Sequence, residues 1–332
     1  MGAYILRRVL LMIPTILAIS VVTFIIIQLP PGDYLETMIA ELQAQGERVS
    51  EERIQYLREQ YGLDRPMVEQ YFWWILGILQ GDFGFSFEYN LPVLDVIGDA
   101  IILTALVNLA AVLFIWAVSF PIALYSATNQ YSIGDYSFTF IGFLGLATPN
   151  FLLGLVLLYL SNRYFGTSFG GLMAPEYLGA PWSLEKVGSI MAHLAAPMIV
   201  IGTSGTAAMI RRLRANLLDE LQKQYVTTAR AKGLPGAQAL LKYPLRVSLN
   251  PFVADIGSLL PQIISGSALV GVVMSLPIMG PILVRALQSQ DMYLAGSILL
   301  LESILVVVGL LVSDILLAML DPRIRLQGGS RR

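Results

Sequence analysis

Long apolar runs recur along this chain at a length that a lipid bilayer sets. A helix needs about 20 mostly apolar residues to cross the hydrocarbon core. Stretches that meet this requirement are Val9–Leu29, Ala100–Ser126, Phe138–Ser161, Ile190–Ile210, Phe252–Met274 and Tyr293–Leu320. The pattern predicts an all-α membrane protein with six transmembrane helices. The first run follows Arg7 and Arg8, as a secretory signal would. It is longer than a signal's apolar core, and Leu29-Pro30-Pro31 follows it rather than a small-residue cleavage site. It reads as a retained helix.

Two polar segments interrupt the apolar runs. The first, 30–98, is too long for a bare connection. Within it, Glu47–Tyr61 has the pattern of a short amphipathic helix ending at Gly62. Tyr71-Phe72-Trp73-Trp74, followed by Ile75 and Leu76, suggests a helix at the headgroup level, which Trp and Tyr favour. The second polar segment is 211–250. A helix is expected over Leu217–Lys232, a turn at Gly233-Leu234-Pro235-Gly236, and a second helix over Ala237–Arg246. The resulting division is 1–29 for the N-terminus and first span, 30–98 for an extracytoplasmic subdomain, 99–320 for a core that includes the 211–250 loop, and 321–332 for a cytoplasmic tail.

Composition removes the soluble alternatives. Of the 332 residues, 56% are hydrophobic and only 13% charged, and the mean hydropathy is +0.68. A soluble domain of this size carries about 25% charge. There is no cysteine, so disulfides, thiolate metal sites and thiol nucleophiles are excluded, and one histidine, His193, leaves little for a histidine-based centre. The net charge of −2 speaks against a nucleic-acid binder.

Charge also sets the orientation, because cytoplasmic loops are enriched in Lys and Arg. With the N-terminus inside, the inside segments hold Arg7, Arg8, Arg211, Arg212, Arg214, Lys223, Arg230, Lys232, Lys242 and Arg246, together with Arg323, Arg325, Arg331 and Arg332. That is 14 of the 21 basic residues. The first outside loop instead carries 12 acidic residues against 4 basic ones. Both termini are therefore expected inside.

The 211–250 segment holds the most specific motif. Tyr225-Val226-Thr227-Thr228-Ala229-Arg230-Ala231-Lys232-Gly233-Leu234 resembles the cytoplasmic loop of ABC-importer permeases, above all the dipeptide/oligopeptide class, whose loop reads D-Y-V-x-T-A-R-A-K-G-L. Other matches follow in family order along nearly the whole chain. They are Pro31-Gly32-Asp33, Tyr61-Gly62-Leu63-Asp64-Arg65-Pro66, Gly81-Asp82-Phe83-Gly84-Phe85-Ser86, Thr148-Pro149-Asn150-Phe151, Asp291-Met292-Tyr293 and Asp321-Pro322-Arg323-Ile324-Arg325. Departures are Gln224 in place of an Asp, Tyr243-Pro244 where His-Ala is common, Gly271 in place of a Glu, Met274 in place of a Phe, and Pro277-Ile278-Met279-Gly280 in place of P-G-L-G. The altered exit of the fifth span leaves oligosaccharides, opines and metal chelates open as substrates beside peptides.

The resemblance implies a permease subunit of an ATP-driven importer in a bacterial or archaeal cytoplasmic membrane. A homologous second permease would complete the pathway, two cytosolic ATPase subunits would bind ATP and Mg, and an extracytoplasmic binding protein would deliver substrate. This chain would carry no cofactor and no catalysis of its own; it has no G-x-x-x-x-G-K-[ST] phosphate loop. Tyr225, Thr228, Ala229, Arg230, Ala231, Lys232, Gly233 and Leu234 would form the contact with an ATPase. In that contact Gly233 would make the tight turn, the alanines would permit close approach, and Arg230 and Lys232 would meet acidic or carbonyl groups.

Polar residues inside the spans are the remaining candidates. Asn108, Asn150, Gln262 and Glu302 could line a pathway or bond a neighbouring helix. Asp255 and Asp314 lie near inside ends, where pairing or snorkelling is the simpler expectation, and His193 reads as an interfacial histidine. An ion-coupled carrier would use the same spans but has no need of the basic loop. An intramembrane enzyme would need a catalytic set that the sequence does not display.

Overall fold

The computed structural model describes residues 2–30, 32, 34–44, 50–62, 64–166 and 168–320. The 321–332 tail, with its Asp321-to-Arg325 motif, lies outside the described residues, as do Pro31, Asp33, Leu63 and the 47–49 start of the expected amphipathic helix.

The described chain is helical almost throughout. The helices are α1 (Gly2–Gln28), α2 (Tyr34–Ala44), α3 (Glu51–Tyr61), α4 (Met67–Leu79), α5 (Val93–Thr128), α6 (Ile133–Ala147), α7 (Asn150–Phe165), α8 (Leu184–His193) and α9 (Ala195–Leu221). They continue with α10 (Gln224–Ala231), α11 (Gly236–Lys242), α12 (Pro244–Ala254), α13 (Ile256–Val273), α14 (Met279–Gln288) and α15 (Met292–Leu320). A two-stranded hairpin, β1 (Phe85–Ser86) with β2 (Leu91–Pro92), pairs antiparallel just before α5.

Three helices are long and apolar enough to cross a bilayer unaided: α1, α5 and α15. Their outward side chains are apolar, as at Leu10, Ile13, Leu17 and Val22 of α1, which is the surface that lipid rather than water would cover. The other three expected spans are each a bent pair, by 100° between α6 and α7, 44° between α8 and α9, and 51° at the join of α12 and α13. The expectation of unbroken helices there is corrected. Pro149 explains the sharpest break: it disfavours helical backbone at Thr148, which is extended at ψ 119. Two further expectations shift. The helix expected over Leu217–Lys232 is interrupted where Lys223 turns extended (ψ 145), with no glycine or proline to announce it. The one expected over Ala237–Arg246 ends at Lys242, and Pro244 opens a new helix, a position that does not require its missing N–H.

The chain divides into two compact units. One comprises Met1–Val9, Ala105–Pro277 and Val308–Arg332; the other comprises Leu10–Thr104 and Ile278–Val307. In the second unit, Val93, Ile97 and Ala100 of α5 bury against Met279, Leu283 and Ala286 of α14 and Leu294, Ala295 and Ile298 of α15. There α4 seats Trp74 with Phe24 of α1 and Leu300 of α15, while Phe72, Trp73, Leu76 and Leu79 face outward.

In the first unit, α9 is the central helix, packing against α6, α7, α12 and α13. Its glycines also admit side chains of α5. A Cβ on Gly202 would meet Phe114, and one on Gly205 would meet Ile115, both at 2.6 Å.

Candidate functional site

The 211–250 segment forms three short helices after α9, of which α10 carries the motif. Val226 and Ala229, three residues apart, are buried at 1% and 6% exposure, and they fix the inward face of α10. Its outward side displays Tyr225, Thr228, Arg230 and Ala231, continued by Lys232 and Gly233, with Leu234 half-buried. Thr228 donates its hydroxyl to the Gln224 carbonyl at 2.9 Å.

The end of α10 is a Schellman motif. Gly233 takes φ +83, its N–H donates to the Arg230 carbonyl at 2.9 Å, and the Leu234 N–H donates to the Ala229 carbonyl at 3.3 Å. A Cβ on Gly233 would meet nothing within 4 Å. Glycine is required here for its backbone angle and not for space. Pro235 then prevents the helix from resuming in place, and α11 leaves in a new direction.

At the start of the motif, the Tyr225 hydroxyl donates to the Glu220 carboxylate, and the Tyr225 ring stands 6.5 Å from that of Tyr243. Desolvation first, then the hydrogen bond to Glu220 and last its charge, push the Tyr225 phenol up to about 12. Among the described residues, Lys223, Arg230, Lys232 and Arg246 make no ion pair, and Lys242 lies 5.6 Å over the Tyr243 ring. The segment is thus a rigid helix–turn with an inward apolar edge and an outward cationic surface.

Other basic residues counted with this loop are already paired. Arg212 Nη1 is 2.8 Å from Asp255 Oδ1. Arg214 grips Asp135 with Nε at 3.0 Å and Nη2 at 2.7 Å. Arg8 meets Asp314 at 3.0 Å. Asp255 and Asp314 are therefore helix-end partners of arginines, whereas Asp135, 3% exposed, is a partner that no sequence pattern marked.

The four candidate pathway residues lie on α5, α7, α13 and α15. Asn108 is buried in α5 at 5% exposure, with neither side-chain atom hydrogen-bonded. Asn150 begins α7 and donates to the Ile201 carbonyl at 3.4 Å. Gln262 is exposed on α13, and Glu302 is half-buried on α15 in the other compact unit. No hydrogen bond joins any two of them among the described residues. His193 ends α8, its Nδ1 2.8 Å from the Ser189 carbonyl. No group of three or more His, Cys, Asp or Glu residues could hold a metal ion among the described residues.

Sequence reasoning matched two motifs without seeing that they meet. Asp291, fully buried, accepts from the Ser86 hydroxyl at 2.7 Å and from the Glu88 N–H at 3.1 Å through Oδ2. Through Oδ1 it caps α15 by accepting from the Leu294 N–H at 3.1 Å. Tyr293 covers Gly84, whose φ is +84 and whose Cβ would lie 3.0 Å from the ring. The hairpin motif and the Asp291-Met292-Tyr293 motif form one structure.

Residues 119–326 match the family described as binding-protein-dependent transport system inner membrane component, and residues 1–110 match that family's N-terminal membrane component. The chain is 35% identical to the oligopeptide transport system permease protein AppB of Bacillus subtilis, covering 98% of this chain and 99% of that protein. It is 31% identical to the dipeptide transport system permease protein DppB of Escherichia coli K12, covering 97% and 98%. It is 30% identical to the peptidoglycan transport system permease protein YejB of Agrobacterium fabrum, covering 98% of each. With its apolar helices and these matches over nearly its full length, the chain is a multi-pass membrane protein that belongs to the family of binding-protein-dependent transport system inner membrane components.

Proposed function

We propose that this chain is one of two permease subunits of an ATP-driven importer of peptides, with the 225–234 motif as its contact to a cytosolic ATPase. The observation that carries the reading is the outward surface of α10, ended by the Gly233 turn and bearing Arg230 and Lys232, which have no ion-pair partner among the described residues. Such a preformed helix, apolar on its inner edge and cationic outside, suits a groove with acidic or carbonyl groups. The names of the relatives support peptides as the cargo.

In this reading the chain crosses the membrane six times, as three long helices and three bent pairs, with both termini in the cytoplasm. Residues 30–98 form the extracytoplasmic subdomain that a binding protein approaches. The second permease completes the pathway. ATP and Mg reside on the ATPase pair, whose closure draws the contact helices together and turns the pathway outward; hydrolysis releases it inward. Asn108, Asn150, Gln262 and Glu302 serve the pathway or the contact between permeases.

The test is Gly233→Pro in the assembled transporter. Proline cannot adopt φ +83 and removes the N–H that Arg230 receives. Import and substrate-stimulated ATP hydrolysis should both vanish, while membrane insertion persists. Normal coupled hydrolysis in this variant, or import by this chain without ATPase subunits, overturns the reading.

A further inference from the structure

The helix that leads into the motif, α9, is zipped along its length to α6. Arg214 holds Asp135 through two hydrogen bonds. Two turns further along α6, Gly142 packs so closely on α9 that an added Cβ would lie 3.7 Å from the Ala207 Cβ, and at Gly145 an added Cβ would lie 2.8 Å from Thr203 Cγ2. Between these, Arg211 lies over the Phe143 ring at 5.8 Å. The partners of Asp135, Gly142 and Gly145 descend on α9 through Arg214, Ala207 and Thr203, so the helices run antiparallel, and the long Arg211 side chain reaches about a turn along to Phe143.

The two ends of this zipper differ. At the Asp135 end, the carboxylate also accepts the Tyr131 N–H at 3.0 Å, and the Asp135 N–H donates to Ser132 Oγ at 3.1 Å. One buried residue thus ties the α5–α6 turn, the start of α6 and the final turns of α9 together. At the other end, Thr148-Pro149 bends the chain by 100° into α7, and Asn150 returns to the α9 backbone at Ile201. The elbow therefore grips the same helix that the ion pair grips, about three and a half turns away.

We propose that Asp135 and Arg214 are positioning residues that make α6 and α9 a single lever, so that displacement of α10 reaches the α6–α7 elbow rather than dissipating in the connecting turns. The proposal rests on α10 being the ATPase contact. It adds that the stroke travels through α6. A closely packed pair with a bidentate ion pair at the driven end resists sliding, since slippage would leave a charge buried without its partner.

The experiment uses the complete transporter reconstituted with its ATPases and binding protein. Four versions are compared: wild type, Asp135→Asn, the neutral double variant Asp135→Asn with Arg214→Gln, and the exchange Asp135→Arg with Arg214→Asp. Assembly is read from the ATPase stoichiometry on purification. Coupling is read from the ratio of substrate imported to ATP hydrolysed. The expected result is normal assembly in the neutral double variant with that ratio reduced about tenfold, a loss in the range of measured coupling energies, and recovery of at least part of the ratio in the exchange.

A wild-type ratio in an assembled neutral double variant overturns the proposal. So does failure of all three variants to assemble, which would make the pair a folding element only. Arg230→Glu is measured alongside. If it leaves ATPase binding and stimulation unchanged, the contact reading fails on its own, independently of the ratio in the Asp135 series.

Discussion

Ser86 and Asp291 stand 205 residues apart in sequence and 2.7 Å apart in the fold, hydroxyl donating to carboxylate inside the protein. The contact couples the hairpin before α5 to the first turn of α15. Asp291 has no exposed surface, so each donor to it replaces a water molecule that it gave up on folding.

Burial raises the Asp291 carboxyl above its ordinary value, and the donors Ser86, Glu88 and Leu294 offset this only in part. An acid whose folded pKa exceeds its unfolded one binds its proton more tightly when folded. The associated stability is present at low pH and lost as pH rises from the ordinary carboxylate value through the raised one. Thermal unfolding in detergent should therefore show a midpoint that falls across that window in wild type and stays flatter in Asp291→Asn. Ser86→Ala should destabilise by about 1–3 kcal/mol by leaving the buried acceptor short of a donor. Equal pH profiles for wild type and Asp291→Asn would refute the assignment.

At Gly233 the requirement is for a backbone angle alone, so substitutions should rank by their tolerance of positive φ. Asn is expected to retain most ATPase stimulation, Ala less, and Val least, the left-handed conformation costing a non-glycine residue about 1–3 kcal/mol. Equivalent stimulation by Asn and Val variants would show that the turn is not the controlling feature.

Tyr225 should hold its proton well beyond pH 10, since burial and the neighbouring Glu220 move it to about 12. Stability linked to this phenol is complete below its ordinary pKa of 10.0 and is lost as pH climbs toward the raised value. The ultraviolet difference between wild type and Tyr225→Phe isolates its titration, and Glu220→Gln should bring the transition down. A transition unmoved by Glu220→Gln would contradict the hydrogen bond.

Packing between α6 and α9 predicts a compensating pair. A methyl group on residue 145 would lie 2.8 Å from Thr203 Cγ2, and overfilling of this kind costs about 1–3 kcal/mol. Gly145→Ala should lower the unfolding midpoint, and adding Thr203→Ala should restore most of the loss. Simple additivity of the two changes would place these residues out of contact.

The apolar runs of α1, α5 and α15 were legible because membrane insertion imposes both length and composition. The Gly233 turn was legible because a local backbone angle selects its residue. The break at Lys223 was not, since neither glycine nor proline marks it; Lys223 itself turns extended while Gln222 stays in the helical region. Pairing was legible for Asp255 and Asp314 near the inside ends, but not which arginine each would meet, and Asp135 was not marked at all. Charge counting assigns a side of the membrane, whereas pairing over 79 residues, as between Asp135 and Arg214, depends on which helices become neighbours. Asp135 lies in the first turn of α6, where an acid needs no further explanation. Its second role exists only once α9 lies beside it.

The three arginine–aspartate pairs also change how the protein's electric field should be pictured. Arg8, Arg212 and Arg214 each sit within 3.0 Å of a carboxylate of the same chain, so their fields largely cancel a short distance away. Among the described residues, the exposed cations of the 222–250 stretch, Lys223, Arg230, Lys232, Lys242 and Arg246, have no such carboxylate beside them. Dissolved ions screen such exposed charges over about 8 Å at physiological strength but reach the buried Asp135 beside Arg214 far less. Added salt should thus weaken what this face attracts while leaving the helices behind it in register, which makes ionic strength a means of separating recognition from architecture in the same molecule.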